Sequence, residues 1–214
     1  MENDYRDTGI LMDLDGVILD TENIYTQFWD EIDHAYPTHV SNFAHVIKGR
    51  NLHEILHTYF DSDDVRARVT AMLNVFQRDM RYNYFARAVD VITWFRQRGC
   101  RIAVVTSSDD AKMAAVYRQH EDFKAMFDAI ITGDMVYNAK PHPECYLLGA
   151  KAIGCDIERC YVFEDSINGL KAGRAAGAHV VGLATTVHRE DIAPHAHEVY
   201  DSLEHYFNCV IKNK

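Results

Sequence analysis

The chain has little of what marks linkers, nucleic-acid binders or membrane-surface proteins. Its 214 residues include only 4 prolines and 11 glycines, too few for a long disordered linker. Lysine and arginine number 22 against 32 aspartates and glutamates, a net charge of −10. Neutralising nucleic-acid or anionic-lipid phosphates requires clustered basic residues. We therefore expect neither nucleic acid nor a membrane as a partner, although a local basic pocket for a small anion stays open.

Long apolar runs and regular cysteine spacing are also lacking. No run reaches the length of a membrane span, and residues 1–7 are too polar for a signal peptide. The cysteines are odd in number, show no Cys-x-x-Cys, and stand at Cys100, Cys145, Cys155, Cys160 and Cys209. This usage favours reduced thiols in a cytoplasmic protein, each a small apolar core residue. The length suits one domain with a modest insertion.

What the chain does have is a series of short apolar runs without strict alternation, as in strands that are covered on both faces. They are residues 10–12, 102–105, 129–131, 160–163 and 179–181. Helical stretches lie between the later runs, one opened by Pro143 and another over 166–176 that Gly177 closes. Alternating strands and helices predict an α/β fold, a parallel sheet between two helical layers. Such sheets bind ligands at the carboxyl ends of their strands.

The connection between the first two runs is far longer than one crossover helix. Within it, apolar residues recur at helical spacing over 24–35, 52–60 and 65–80. We predict a small α-helical cap at 18–85, inserted into a core formed by 1–17 and 86–214. The three apolar stripes are expected to form the core of that cap.

Two carboxylates follow the first run, in the segment Asp13-Leu14-Asp15-Gly16. Acids this close attract a hard cation such as Mg²⁺, or divide nucleophilic attack and proton transfer between them. Gly16 permits a tight turn out of the strand. The simpler alternative is an acidic turn.

Other strand ends carry complementary groups. Thr106 and Ser107 follow the second run and suit a phosphate through hydroxyl and backbone N–H groups. Lys140, after the third run, offers a compact charge for a phosphoryl oxygen. Glu164 and Asp165 add two acids after the fourth run. We expect these side chains to meet at one sheet edge.

Each feature also has a simpler structural reading, such as a helix cap at Ser108, a surface lysine or acids that favour a helix dipole. It is improbable that all of these side chains lie at one edge of the sheet by chance. In this order they resemble the haloacid dehalogenase-like hydrolase superfamily, in its helical-cap branch, near the β-phosphoglucomutase-like sugar phosphatases. The resemblance covers essentially the whole chain. Its motifs are Asp13-Leu14-Asp15-Gly16-Val17, Val105-Thr106-Ser107-Ser108, Lys140-Pro141-His142-Pro143 and Phe163-Glu164-Asp165-Ser166.

The resemblance implies a three-layer Rossmann-like core, a cap that acts as a lid, and a role for each matching residue. Asp13 would be the nucleophile that becomes an aspartyl-phosphate, and Asp15 would protonate the leaving alkoxide and then activate water. The implied Mg²⁺ ligands are Asp13, the Asp15 backbone carbonyl and Asp165. Glu164 would be either a further ligand or a residue that contacts the ligands. Implied phosphoryl contacts are Thr106, Ser107 and Lys140.

Further positions bear on the activity. Asp15 argues for phosphate chemistry, because the dehalogenases of this superfamily lack an acid there. The β-phosphoglucomutase branch carries a histidine where this chain has Tyr25, and an arginine where it has Leu52. Both departures favour a phosphatase, with a sugar-phosphate mutase as the alternative. Tyr25, Lys48 and Arg50 either contact the leaving group or form a solvated cap surface. We expect a Mg²⁺-dependent hydrolase of a sugar phosphate or similar small phosphate ester.

A rival motif is His53-Glu54-Ile55-Leu56-His57, which matches the zincin pattern. It lacks a third ligand at the usual spacing and flanks an apolar stripe, so a surface position on the cap is preferred over zinc binding, the remote alternative. A non-enzymatic relative that only binds a phosphoryl group or a partner is disfavoured because Asp13 and Asp15 are both present. The sequence leaves the oligomeric state open.

Overall fold

The structure, a computed structural model, describes residues 7–212, and its centre is one parallel sheet. Within that range the strands are β1 (Gly9–Met12), β2 (Arg101–Val105), β3 (Ala129–Ile131), β4 (Cys160–Glu164), β5 (His179–Leu183) and β6 (Glu198–Tyr200). Their order is β3-β2-β1-β4-β5-β6. The predicted α/β fold is confirmed, and the prediction missed only β6 among these strands.

Helices cover both faces of the sheet or form the cap. They are α1 (Glu22–Ala35), α2 (Phe43–Val46), α3 (Leu52–Tyr59), α4 (Asp63–Asp79), α5 (Ala88–Gln97), α6 (Asp110–Gln119), α7 (Glu144–Ala152), α8 (Ile167–Ala176), α9 (Arg189–Ile192) and α10 (Leu203–Tyr206). Pro143 caps α7 rather than opening its first turn. None of the helices described between residues 7 and 212 is long and apolar enough to cross a membrane.

The apolar runs lack alternation because each strand buries both of its faces. In β1, Ile10 and Met12 belong to one core cluster and Leu11 to the other. Helices α5, α6 and α10 contribute to the first cluster, while α7 and α8 contribute to the second. Three cysteines are buried as expected, but Cys155 is only half-buried and Cys209 is exposed.

The cap has a hydrophobic core of its own, to which helices α1 to α4 contribute Phe28, Trp29, Ile32, Phe43, Ala44, Ile55, Leu56, Val69 and Leu73. The two segments that join the cap to the sheet run side by side. Asp20 N donates to Asn83 O at 2.9 Å, and Phe85 N donates to Ile18 O at 2.9 Å. The proposed boundaries at 18 and 85 fall on these segments.

The strand order determines which motifs meet. Strand β1 lies between β2 and β4, with Met12 paired to both Val104 and Phe163. Asp13 therefore leaves the sheet between the ends of β2 and β4, beside the residues that follow them. Gly16 turns the chain at φ +74°, where a Cβ atom would collide with Asp165 Oδ2.

Candidate active site

A buried ion-pair network lies at the end of β1. Lys140 is only 2% exposed. Its Nζ lies 3.0 Å from Asp13 Oδ1 and 2.6 Å from Glu164 Oε1. Burial alone would lower the pKa of Lys140, but the charges of these two acids outweigh it and raise that pKa. The alternative of a surface lysine is wrong, because the loop after β3 turns Lys140 into the sheet edge.

Glu164 has both carboxylate oxygens engaged by donors. Oε1 accepts from Lys140 and, at 2.8 Å, from Tyr146 Oη. Oε2 accepts from the backbone N–H groups of Asp165 and Ser166 and from Ser166 Oγ, at 3.0 to 3.1 Å. Because both Glu164 oxygens already accept hydrogen bonds, this carboxylate is better suited to orienting neighbouring residues than to binding a metal directly. Helix α8 packs closely here, since a Cβ at Gly169 would collide with the Glu164 carboxylate.

Asp13, Glu164 and Asp165 each bring an oxygen within 4.8 Å of the others, the one such donor group among residues 7–212. Burial raises the pKa of Asp13 to about 8, with Lys140 opposing and Glu164 and Asp15 adding to the shift. Burial, together with Glu22, Glu164 and Asp13, raises the pKa of Asp165 well above its usual value. The cluster is short of positive charge, and its hard oxygen donors fit Mg²⁺.

Asp15 is held by three donors. Thr21 Oγ1 donates to Oδ1, while Ser108 Oγ and Lys112 Nζ donate to Oδ2 at 2.9 and 2.5 Å. Burial would raise the pKa of Asp15, but the charge of Lys112 and these hydrogen bonds outweigh it and hold that pKa below its ordinary value. The bonds therefore favour the anion, the form that can accept a proton from water.

In the loop after β2, the structure contradicts the alternative of a Ser108 cap and restricts how Ser107 could bind a phosphate. The cap of α6 is Asp109, whose side chain accepts from Lys112 N, and not Ser108, whose hydroxyl reaches Asp15. The Ser107 hydroxyl donates to Gly49 O at 2.7 Å and so joins the core to the cap. A phosphate contact from Ser107 would then have to come from its backbone N–H. Thr106 Oγ1 accepts from Ser108 N and keeps its own proton to donate.

The cap supplies the opposite wall of the pocket, in which Tyr25, Lys48 and Arg50 all take part. Lys48 Nζ lies 3.1 Å from Glu22 Oε2, and Arg50 Nη1 lies 2.5 Å from Glu54 Oε1. The loop that carries these cations is tied to α8, because Asn168 Nδ2 donates to Lys48 O at 3.0 Å.

Several polar atoms of this wall are buried without a hydrogen-bond partner. Within the described range they are Tyr25 Oη, Arg50 Nε and Gln77 Oε1, and all three residues line the pocket. The side chains of Tyr25 and Gln77 lie close to each other, although not in good hydrogen-bond geometry. Buried polar groups are normally paired. These atoms are shielded from solvent, so a polar ligand would pair with them only after the side chains around them move.

The geometry around His53 and His57 does not support a zinc site. His53 and His57 are exposed, with ring centroids 4.3 Å apart. Glu54 is engaged by Arg50. No third donor joins them among the described residues, where the Asp13–Glu164–Asp165 group stands alone.

Sequence reasoning missed Lys112, Glu22, Gln77 and Tyr146. Lys112 carries a readable signal, since a lysine in the first turn of a helix opposes the helix dipole. Glu22 is the first residue of α1, next to its N-cap residue Thr21, and Gln77 is a polar residue on an otherwise apolar helix face. Tyr146 gives no such signal before the fold is known.

The central strand of this parallel sheet is followed by an aspartate that lies next to a buried lysine and two more acids. This arrangement is typical of a Rossmann-like enzyme whose active site lies at the carboxyl edge of the sheet. The chain belongs to the haloacid dehalogenase-like hydrolase family, whose model matches residues 8–177. The predicted family and the prediction of a hydrolase are thereby confirmed.

Individual relatives are consistent with this assignment. The chain is 30% identical over 185 residues to the fructose-1-phosphate phosphatase YqaB of Escherichia coli, covering 83% of this chain and 97% of that protein. A hydrolase from Pseudomonas syringae shares the fold at a TM-score of 0.82 and 22% identity, covering 94% and 96% of the two chains. A β-phosphoglucomutase from Clostridium difficile does so at 0.74 and 22%, covering 91% of each. The chain spans only 18% and 53% of two longer relatives.

Proposed function

We propose that the protein hydrolyses phosphate monoesters of sugars or similar small metabolites, with Mg²⁺ at the carboxylate cluster. The observation that carries the proposal is the pairing of Asp13 with the buried Lys140 at 3.0 Å, with a second acid, Asp15, two residues after Asp13. Lysine can neutralise a phosphoryl oxygen as it approaches the aspartate. The phosphatase name of the Escherichia coli relative supports the same chemistry.

The reaction follows from the positions of the two acids. Asp15, anionic in the free site, first takes up a proton. An Asp13 oxygen then forms a bond to phosphorus as the bond from phosphorus to the ester oxygen breaks, and the departing ester oxygen takes that proton from Asp15. Asp15, now anionic, removes a proton from water, whose oxygen attacks phosphorus and releases Asp13 and inorganic phosphate. Asp13 and Asp165, with the Asp15 carbonyl, would hold Mg²⁺, and Glu164 would orient them. Bound there, the cation would offset the charge of the phosphoryl group.

The cap wall indicates the chemistry of the leaving group. Its two cations, Lys48 and Arg50, each already face a carboxylate. A second phosphate on the substrate would have to share one of these cations with the carboxylate that it already faces. The unpartnered atoms on Tyr25, Arg50 and Gln77 suit hydroxyl groups instead. We therefore propose an uncharged polyhydroxy leaving group.

The same wall disfavours the mutase alternative. A sugar-phosphate mutase must hold two phosphoryl positions and keep water from its aspartyl-phosphate. Tyr25 and Leu52 replace the residues that the mutase branch uses, and the remaining cations are paired. A cytoplasmic location stays a prediction, consistent with five free cysteines.

Phosphate release from a panel of monoesters, including sugar 1- and 6-phosphates, tests the proposal. We expect release with Mg²⁺, none with EDTA, and a loss of about 10⁴-fold or more in Asp13→Asn. β-Glucose 1-phosphate is assayed separately for its 6-phosphate. Isomerisation without release would establish the mutase, and activity that survives Asp13→Asn would remove the mechanism.

A further inference from the structure

Lys112 is a buried cation at a place where a helix disfavours one. It lies in the first turn of α6, and its backbone N–H donates to the capping side chain of Asp109 at 2.8 Å. The N-terminal end of a helix carries partial positive charge, which repels a lysine. The residue is only 3% exposed, so its ammonium group has also lost most of its water. A lysine in this position needs a strong partner.

Its partners come from both halves of the molecule. On the core side, Nζ lies 2.5 Å from Asp15 Oδ2. On the cap side, the same atom lies 4.2 Å from the centroid of the Tyr25 ring, within the range of a cation–π contact. The Tyr25 ring in turn packs edge-on against Phe76 of α4, with centroids 5.2 Å apart.

The other two donors to Asp15 lie elsewhere. Thr21 belongs to the segment that leads into the cap, and Ser108 to the loop after β2. Of the three donors, Lys112 is the one whose donor atom also lies against an aromatic ring of the cap. Two contacts therefore relate the orientation of Asp15 to the placement of α1: Thr21 at the start of the helix, and Lys112 against the Tyr25 ring one turn further along.

We propose that Lys112 is a positioning residue, which holds the Asp15 carboxylate in its catalytic orientation and, through Tyr25, links that orientation to the position of the cap. Lys112 acts through Asp15 and does not touch the reacting phosphoryl group. The inference rests on the proposed phosphatase function, in which Asp15 gives a proton to the leaving oxygen and later takes one from water.

The step that depends on Asp15 can be separated from the rest by the choice of substrate. A sugar alkoxide is a strong base and must be protonated as it leaves. p-Nitrophenolate is a weak base and leaves without a proton. Loss of Asp15 positioning therefore slows release from a sugar phosphate far more than release from p-nitrophenyl phosphate, whereas damage to phosphoryl binding or to folding slows both equally.

The experiment compares kcat/KM of Lys112→Met on these two substrates. We expect a loss of about 10- to 100-fold on the best sugar phosphate and less than about 3-fold on p-nitrophenyl phosphate. Lys112→Arg keeps a donor and a cation over the ring, and should recover part of the loss. Arg118→Met removes an exposed cation from the same helix and should leave both rates unchanged.

A second pair of variants tests the link to the cap without touching the lysine. Tyr25→Phe keeps the ring face but loses the hydroxyl that faces the leaving group, so its ratio of the two kcat/KM values is the reference for this pair. Tyr25→Leu also removes the ring and should shift that ratio further than Tyr25→Phe does, in the direction of Lys112→Met. This comparison remains available if Lys112→Met does not fold. Equal losses on both substrates, or no loss, would overturn the inference. A wild-type chain that releases phosphate from neither substrate would overturn the proposed function, and the inference with it.

Discussion

The two walls of the pocket differ in how completely their polar atoms are paired. On the core wall, Lys140 bridges two carboxylates and Glu164 accepts from donors on both of its oxygens. On the cap wall, Tyr25 Oη, Arg50 Nε and Gln77 Oε1 are buried without partners. Most polar atoms of the core wall are paired before any substrate arrives, with Thr186 Oγ1 beside Asp165 as an exception, whereas three atoms of the cap wall are not.

The difference separates two tasks. A phosphoryl group is the same in every monoester, so the groups that meet it can be fixed in advance, and preorganised charges need no rearrangement during reaction. Leaving groups vary, and unpaired atoms on the cap wall are a cost that a matching ligand would remove. Chemistry is accordingly built into the sheet edge, while selection depends on the inserted helices.

The strongest test of the core wall is Lys140→Met. Removing one partner of a buried pair leaves an uncompensated charge, so we expect about 3–5 kcal/mol less free energy of unfolding. We also expect a loss of about 10³-fold in kcat/KM, since the group that faces the phosphoryl oxygens is gone. Urea unfolding and phosphate release measure the two effects.

Two controls accompany this variant. Lys151→Met removes an exposed lysine from α7 and should change neither quantity. The double variant Lys140→Met with Glu164→Gln removes a stranded carboxylate as well and should regain stability without regaining activity. A Lys140→Met protein as stable as the wild type would show that the core wall is less tightly coupled than its geometry indicates.

The carboxylate cluster makes Mg²⁺ binding depend on pH. The pKa of Asp13, about 8 in the folded chain, lies above its ordinary value of 3.8, so the folded protein keeps a proton that the unfolded chain loses. Raising the pH through this window therefore lowers the free energy of unfolding without metal. Mg²⁺ needs the ionised form, so its affinity should rise with pH up to about 8.

Thermal unfolding with and without Mg²⁺ measures this dependence. Near 100-fold excess over the dissociation constant, the cation should add about 2.7 kcal/mol. At a fixed Mg²⁺ concentration, the increase in Tm should be larger at pH 8 than at pH 6, and Asp165→Asn should abolish it. An equal increase at both pH values would mean that the cation binds elsewhere.

A smaller effect is expected on the cap wall. Glu22→Gln leaves Lys48 without its partner and should raise kcat/KM for a sugar bisphosphate, relative to the monophosphate, by about 10-fold, or 1.4 kcal/mol. Glu54→Gln should do the same through Arg50, whereas Glu31→Gln, exposed on α1, should not. An unchanged ratio in both pocket variants would remove the proposed preference for an uncharged leaving group.

The core wall was also the more predictable from sequence. Asp13, Thr106 and Glu164 lie at the carboxyl ends of buried strands, and parallel strands bring those ends to one edge. Lys140 comes after a longer loop, so its burial could be expected only from the family resemblance. Residues that directly follow a predicted strand can be located from sequence, because the parallel sheet brings the ends of its strands to one edge.

The cap wall was less predictable because helix periodicity predicts which face is apolar but not how helices pack. Lys48 and Arg50 line the pocket, and their role as substrate contacts stays a prediction. Their pairing with Glu22 and Glu54 depends on how α1, α3 and the intervening loop meet. Ser107 was expected to bind phosphate through its hydroxyl or its backbone N–H, and its hydroxyl donates to Gly49 O of the cap, a contact that depends on how the two units meet. Lys112 belongs to the core, yet its role also depends on where the cap places Tyr25.

The smallest effect is expected on the outer face of the cap. His57 is exposed and has no third metal donor near it in the described range, so His57→Ala should change kcat/KM by less than about 2-fold, as surface substitutions usually do. His53→Ala serves as the matched control on the same helix face, and added Zn²⁺ should not raise the activity of either variant. A complete loss in His57→Ala with an unchanged Tm would move function from the pocket wall to the outer surface of α3. Catalysis at the sheet edge and substrate selection by the cap would then not account for the activity, which would also require a site on the outer surface of the cap.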